Sequence, residues 1–156
     1  MNKSETNNRK DVEYHVSQED NDIVKFGQLW TLNRWGGITG STTPGCEYDA
    51  WMKKKNKTYV IELKGRDVPS YAYTTCYIEI DKYCELLMFN KAYGYTPLYI
   101  AFYEDGKALV WSILENLFPH KTRKKNARNK GFEGNVRENN VCYELPINKA
   151  YVYKYE

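Results

Sequence analysis

Two carboxylates and one ammonium group stand close together in stretches that otherwise suit a buried sheet. Asp49 lies in the segment EYDAWM, and Glu62 and Lys64 lie in TYVIELKGRDV. Charged side chains on a central strand cost free energy unless each finds a charged or metal partner. Two hard oxygen donors with open coordination positions suit Mg²⁺, for which Mn²⁺ can substitute. The pattern therefore predicts a divalent-cation site with an amine beside it.

A strand hairpin would bring these groups together. The polar turn KKKNK separates two strand-like runs, and pairing YDAW with VIELK places the Asp49 carboxylate beside that of Glu62 at one end of a sheet. The backbone carbonyl of Leu63 would complete the ligands of a Mg²⁺ ion that polarises a phosphodiester. Lys64 would stabilise charge in the transition state or position the water nucleophile. Period-2 alternation puts one set of side chains on each face of the second strand, namely Tyr59, Ile61 and Leu63 against Val60, Glu62 and Lys64.

Helical patterns are predicted on both sides of this hairpin. A first helix from about Gln18 to Asn33 opens with a possible capping box of Ser17 and Asp20. After a predicted loop at GRDVPSYAYTT, a second helix has Asp81 as its N-cap and stops at Gly94. Its helical intervals predict a shared face formed by Ile80, Cys84, Leu87 and Met88.

Two further apolar strands follow the second helix. The turn residues Glu104, Asp105 and Gly106 join them into a hairpin. A further strand is predicted where ITGSTTPGCEYDAWM begins, before the loop that leads into the β-hairpin. The predicted order is therefore αβββαββ, an α/β arrangement.

The spacing of Asp49, twelve intervening residues, and then Glu62-Leu63-Lys64 resembles the Asp-x(n)-(Asp/Glu)-x-Lys signature of the PD-(D/E)XK nuclease superfamily. The element order also resembles that superfamily's restriction-endonuclease-like αβββαβ core, a central mixed sheet flanked by helices. The resemblance covers residues 17–113 and is closest to small Holliday-junction-resolvase-like and phage-borne members. The chain departs from the signature in having Tyr48 where the superfamily has a proline before the first acid.

The resemblance implies a Mg²⁺-dependent endonuclease that hydrolyses DNA phosphodiester bonds, with branched or structured DNA as the substrate class. Many members add an acid from the first helix, for which Glu19, Asp20 and Asp22 compete. Glu19 is favoured because it shares a helical face with Ile23, Phe26 and Trp30. The second helix of the family often adds a polar residue, and Lys82 is the candidate for contacting the substrate. A solvated surface lysine is an equally good interpretation of Lys82.

A basic segment beyond Pro119 predicts a DNA-binding surface. It reads HKTRKKNARNKG and contains no acid, so it could neutralise several backbone phosphates as a mobile flap. A solubilising charged loop is the alternative, and this alternative is favoured for the lysines of KKKNK. The fifteen tyrosines could stack on unpaired bases, although half-buried strand positions explain most of them. The flap's candidate phosphate contacts are Lys121, Arg123, Lys124, Lys125 and Arg128.

Length and composition set the remaining expectations. The chain has 156 residues and a net charge of +3, which suits a flexible lead at 1–13 and one domain at 14–156. Four scattered cysteines, no secretory signal and no apolar membrane span favour a cytoplasmic protein with free thiols and no membrane partner. The sequence leaves open whether two copies pair as a homodimer.

Three other functions fit parts of the pattern. A non-catalytic nucleic-acid-binding protein could use the same fold with structural acids. A restriction-type or repair nuclease would read duplex sequence but would need additional base-reading elements. A glycosidase could use Asp49 and Glu62 as its acid and base, although Lys64 and the basic segment argue against it.

Overall fold

The computed structural model describes residues 20–42, 46–123 and 141–156. Within them, helix α1 occupies residues 20–32 and helix α2 occupies Ile80–Tyr93. The predicted lead at 1–13 and the capping residue Ser17 lie outside the described residues. The prediction of one domain from residue 14 onward stays a prediction.

The strands of the described part form two sheets. The larger sheet has the order β1-β2-β3-β5-β6-β9, and the smaller has the order β4-β8-β7. Neighbours are antiparallel except β3 and β5, which run parallel and are connected through α2. In chain order the strands are β1 Ile38–Ser41, β2 Ala50–Lys54, β3 Lys57–Arg66, β4 Thr75–Glu79, β5 Thr96–Tyr103, β6 Lys107–Ser112, β7 His120–Arg123, β8 Val141–Pro146 and β9 Tyr151–Lys154.

Each face of the larger sheet packs against a separate apolar core. On one face, Phe26 and Leu29 of α1 pack against Ile61 and Leu63 of β3. On the other, α2 and the smaller sheet cover the sheet, and their buried residues include Tyr83, Leu86, Ile78 and Leu145. Strand β3 contributes side chains to both cores, because successive side chains of a strand point to opposite faces of the sheet. The predicted α/β fold with a central mixed sheet flanked by helices is confirmed.

The predicted hairpins are present. Ala50 pairs with Ile61 across the β2–β3 hairpin, whose turn contains Lys55 in a left-handed conformation. Residues 104–106 connect β5 and β6, and Gly106 has a φ of 75° that suits a glycine. Gly94 ends α2 as predicted, with a φ of 71° and its N–H donating to the Asn90 carbonyl at 2.8 Å.

The region between β3 and α2 differs from the prediction. The predicted loop GRDVPSYAYTT begins within β3 and ends within β4, a strand that leads directly into α2. Asp81 is not the N-cap; Glu79 holds that position, and Asp81 lies in the first turn. An acid in the first turn is still favourable, because it interacts with the positive N-terminal end of the helix dipole.

The buried face of α2 is rotated from the predicted one. Tyr83 and Leu86 are its buried residues, whereas Cys84 and Met88 are exposed. The Tyr83 hydroxyl donates to the Asn116 carbonyl at 2.8 Å, so its polar end has a partner inside the core. A tyrosine can therefore lie on the buried face of a helix even where the spacing of the apolar residues predicts a different buried face.

The start of the predicted basic flap is a strand. His120–Arg123 forms β7 and pairs with β8, with Lys121 opposite Tyr143. An edge strand accepts charged residues because backbone hydrogen bonds to one neighbour suffice. The prediction of a mobile flap is therefore wrong for Lys121 and Arg123, while Lys124, Lys125 and Arg128 lie outside the described residues.

Candidate active site

The candidate site lies where β3 extends beyond the start of β2. Asp49 immediately precedes β2, and its N–H donates to the Ile61 carbonyl at 3.0 Å. Its side-chain Oδ2 then accepts the Leu63 N–H at 2.9 Å. The carboxyl thus takes the place that a β2 backbone carbonyl would occupy further along the ladder. This holds Asp49 against the edge of β3.

Glu62 lies on the face of β3 that is covered by α2. Its side chain is only 13% exposed, and Oε1 is 4.0 Å from the Lys82 ammonium. Oε2 is buried and has no hydrogen-bond partner among the described residues. Burial raises the pKa of Glu62 to about 8, and the nearby charge of Asp49 adds to the rise.

The charges of the two carboxyl groups interact. Burial raises the pKa of Asp49, while the Leu63 N–H and the charges of Lys82 and Lys64 lower it. Two neighbouring carboxylates repel each other when both are ionised. A proton or a cation between them relieves that repulsion.

Two lysines approach this pair from different elements. Lys64 of β3 is exposed, and its charge lowers the pKa values of Asp22, Asp49 and Glu62. Lys82 of α2 lies 3.7 Å from Glu85 as well as beside Glu62. Burial acts to lower the pKa of Lys82, but the surrounding carboxylates raise it. Lys82 therefore remains charged beside Glu62.

Asp22 is the acid of α1 that the structure places against β3. It is only 9% exposed, and its Oδ1 finds no hydrogen-bond partner in the described part of the chain. Gly65 permits the approach, because a Cβ there would meet Oδ1 at 3.0 Å. Burial raises the pKa of Asp22 to about 6, although the charges of Lys25 and Lys64 and the Gly65 N–H each act to lower this pKa.

The preferred first-helix acid, Glu19, lies outside the described residues, and Asp20 is exposed. A helical spacing could have identified Asp22, because it precedes the buried Phe26 and Leu29 by one and two turns. The sequence interpretation instead aligned the helix face on Ile23, Phe26 and Trp30, of which Phe26 is buried and the other two are only partly buried.

The donor set fits a hard divalent cation that keeps several water or phosphate ligands. Across residues 20–42, 46–123 and 141–156, no three His, Cys, Asp or Glu side chains are grouped to hold a metal ion. Asp49 and Glu62 nevertheless supply two oxygen donors, including the unpartnered Oε2. The Leu63 carbonyl points to the same edge as its N–H, toward Asp49. Mg²⁺ is commonly held by one or two carboxylates, with the remaining ligands from water and substrate.

No interaction among the described residues brings the predicted phosphate-binding residues of the basic segment to this site. Lys121 lies in the smaller sheet, and no hydrogen bond or ion pair among the described residues connects it to Asp49 or Glu62. No helix within the described ranges has both the length and the apolar character needed to cross a membrane.

Comparisons with known proteins give a structural likeness but no sequence match. The sequence matches no protein-family model and no curated protein. The structure is similar to that of Hjc, a Holliday junction resolvase from the archaeal hyperthermophile Archaeoglobus fulgidus, at 13% identity and a TM-score of 0.48. The match covers 76% of this chain and 83% of that chain.

Proposed function

We propose that this protein is a metal-dependent endonuclease that hydrolyses DNA phosphodiester bonds at Asp49, Glu62 and Lys64. The observation that carries the proposal is a pair of partly buried carboxyl groups at the edge of β3. Asp49 is held by the Leu63 N–H, and Glu62, whose charge interacts with that of Asp49, has one oxygen without a hydrogen-bond partner among the described residues. Such a pair is unfavourable for stability when it is ionised, so a functional reason for keeping it is required.

The residues of the site have separate roles in this proposal. Asp49, Glu62 and the Leu63 carbonyl would hold Mg²⁺, which supplies Lewis-acid polarisation of the phosphodiester and a lowered pKa for a bound water. Lys64, exposed beside both acids, donates to a phosphoryl oxygen as negative charge develops there. Lys82 keeps Glu62 oriented through its contact at 4.0 Å.

Asp22 is proposed as the group that accepts a proton from the attacking water. Its pKa of about 6 lies close to neutral pH, where a general base works best. Its unpartnered oxygen faces the edge of β3 at Gly65, two residues beyond Leu63. Asp22 thus replaces Glu19 as the first-helix acid of the site, but with a different role, because Glu19 was expected to help hold the metal.

DNA, and branched DNA in particular, is the substrate class that the Asp49, Glu62 and Lys64 motif implies by resemblance. The test is cleavage of labelled four-way junction, flap and linear duplex DNA, with RNA of the same sequence in parallel. We expect cleavage of at least one DNA substrate in Mg²⁺ or Mn²⁺ and none in EDTA. Glu62→Gln should abolish it, and the matched control Glu104→Gln, an exposed acid in the β5–β6 turn, should not.

Two results would contradict this function. Binding of DNA without cleavage under every metal condition would favour the non-catalytic alternative. Equal cleavage by wild type and Glu62→Gln would remove the carboxyl pair from the reaction. Selective cleavage of one linear sequence would instead favour a duplex-reading nuclease.

A further inference from the structure

Four aromatic side chains form a continuous strip along α2. The Tyr48 ring meets Phe89 edge-on at a centroid distance of 5.0 Å. Phe89 lies 6.2 Å from Tyr93, and Tyr93 stacks on Tyr95 at 5.3 Å with an interplanar angle of 26°. These four residues are called the aromatic strip below.

One end of the aromatic strip adjoins the candidate active site. Tyr48 is bonded to Asp49 and packs on the same side of the sheet as α2, the side to which Glu62 points. The other end, Tyr95, immediately precedes β5, whose first residue Thr96 pairs with Tyr59 near the start of β3. The strip therefore leads from the carboxyl pair toward the β2–β3 turn.

The charges along this path suit a polyanion. Residues 86–95 of the sequence, LLMFNKAYGY, include Lys91 and no acid. The β2–β3 turn at the far end exposes four lysines, and none of them forms a salt bridge among the described residues. By alternation, Lys53 lies on the same face as α2, since Ala50 and Met52 face the α1 core. The four lysines are Lys53, Lys54, Lys55 and Lys57.

The most exposed side chain of the aromatic strip is Tyr93, which contributes little to the core. Tyr93 is 66% exposed, whereas its neighbours Tyr48, Phe89 and Tyr95 are partly buried against the core. One face of the Tyr93 ring stacks on Tyr95, and the exposed remainder can receive another planar ring. Nucleobases stack on such rings without regard to sequence.

We propose that the aromatic strip binds unpaired bases of a nucleic-acid strand whose phosphate backbone passes the carboxyl pair. Lys53, which alternation places on the α2 face, contacts a phosphate of the same strand, whereas Lys54 and Lys57 lie on the α1 face. This deepens the proposed function, on which it rests, by naming the substrate class as nucleic acid with a single-stranded segment next to the cleaved bond. A fully paired duplex keeps its bases stacked on one another and gains nothing from the strip.

The test compares Tyr93→Ala, Tyr93→Phe and the control Met88→Ala, which removes another α2 side chain that is 66% exposed. Binding is measured by fluorescence anisotropy to a duplex with an unpaired tail and to the same duplex fully paired, with Ca²⁺ replacing Mg²⁺. Tyr93→Ala should weaken binding of the tailed duplex by about tenfold. It should leave the paired duplex unchanged, and Tyr93→Phe and Met88→Ala should bind both like wild type.

Several outcomes would overturn the inference. These are equal binding of the tailed duplex by wild type and Tyr93→Ala, an equal loss for both duplexes, or a loss in Tyr93→Phe as large as in Tyr93→Ala. A wild type that binds neither DNA would also overturn it. Melting temperatures of all variants, which should match because Tyr93 is exposed, show that each remains folded.

The binding assay separates this inference from the proposed function. If the tailed duplex binds in a Tyr93-dependent manner but is never cleaved in Mg²⁺ or Mn²⁺, the aromatic strip stands and the nuclease proposal fails. If cleavage requires Glu62 while Tyr93→Ala binds and cuts like wild type, the nuclease proposal stands and the strip fails.

Discussion

Two charged groups on the same face of β3 are buried in different surroundings. The Arg66 guanidinium donates to the Tyr77 carbonyl of β4 at 2.5 Å and to the Tyr99 hydroxyl of β5 at 3.1 Å. Glu62, four residues earlier, lies beside another acid. In the described part of the chain its Oε2 lacks a hydrogen-bond partner, as does the Nε of Arg66. The two guanidinium hydrogen bonds nevertheless tie three strands together, whereas the carboxyl pair opposes folding when it is ionised. Under the proposed function, charge on one strand therefore serves stability at Arg66 and chemistry at Glu62.

The largest expected effect is on cleavage when the acid pair is removed. Asp49→Ala and Glu62→Ala should each lower the rate by at least about 10³-fold, because the cation loses a ligand. Their melting temperatures in EDTA should be equal to or above that of wild type, because repulsion between the carboxyls is relieved. Loss of folding in both variants would make the acids structural, as Arg66 is.

Lys64→Met should lower turnover by about 10²-fold while leaving divalent-cation affinity intact. The amine acts on charge that develops in the reaction, so it contributes little to the bound ground state. Single-turnover rates at saturating protein, together with Mn²⁺ binding, measure the two quantities separately. Unchanged turnover would exclude Lys64 from the site.

Arg66→Met should lower the free energy of unfolding by about 2 kcal/mol, because the Tyr77 carbonyl and the Tyr99 hydroxyl lose a charged donor. Urea denaturation provides this value. Cleavage per folded molecule should change little, in contrast to Glu62→Ala. Full stability with loss of cleavage would reverse the roles assigned to the two charges.

A further test of the acid pair is the pH dependence of the free energy of unfolding in EDTA. The pKa of Glu62 is raised from 4.5 to about 8 on folding, so the folded state retains a proton that the unfolded state releases. The associated stability is fully present below pH 4.5 and is lost as the pH rises through 8. Glu62→Gln should flatten this part of the curve, and a wild-type curve already flat there would contradict the burial of an interacting acid pair.

Local features of the fold could be predicted because local sequence determines them. The β2–β3 hairpin follows from a polar turn between alternating strands, and the end of α2 follows from Gly94. Strand β4 could not be predicted, because its short sequence gains its partner only from β8, far along the chain. Burial of Tyr83 likewise depends on a distant carbonyl, that of Asn116.

The candidate site was predictable to a similar extent. Asp49 and Glu62 meet because hairpin register and strand alternation are readable from sequence. The choice of Asp22 among the first-helix acids depends on how α1 packs across β3. Its spacing from Phe26 and Leu29 indicates only that Asp22 faces inward; the room that Gly65, which lacks a Cβ, leaves for its carboxyl cannot be read from the helix sequence.

Binding of Mn²⁺, measured by electron paramagnetic resonance, tests most directly whether the carboxyl pair holds a divalent cation. Wild type should bind one ion, and Mg²⁺ should compete for it. Asp49→Asn and Glu62→Gln should each lose this binding, while Glu104→Gln should keep it. Equal binding by wild type and both site variants, or no binding by wild type, would contradict the account.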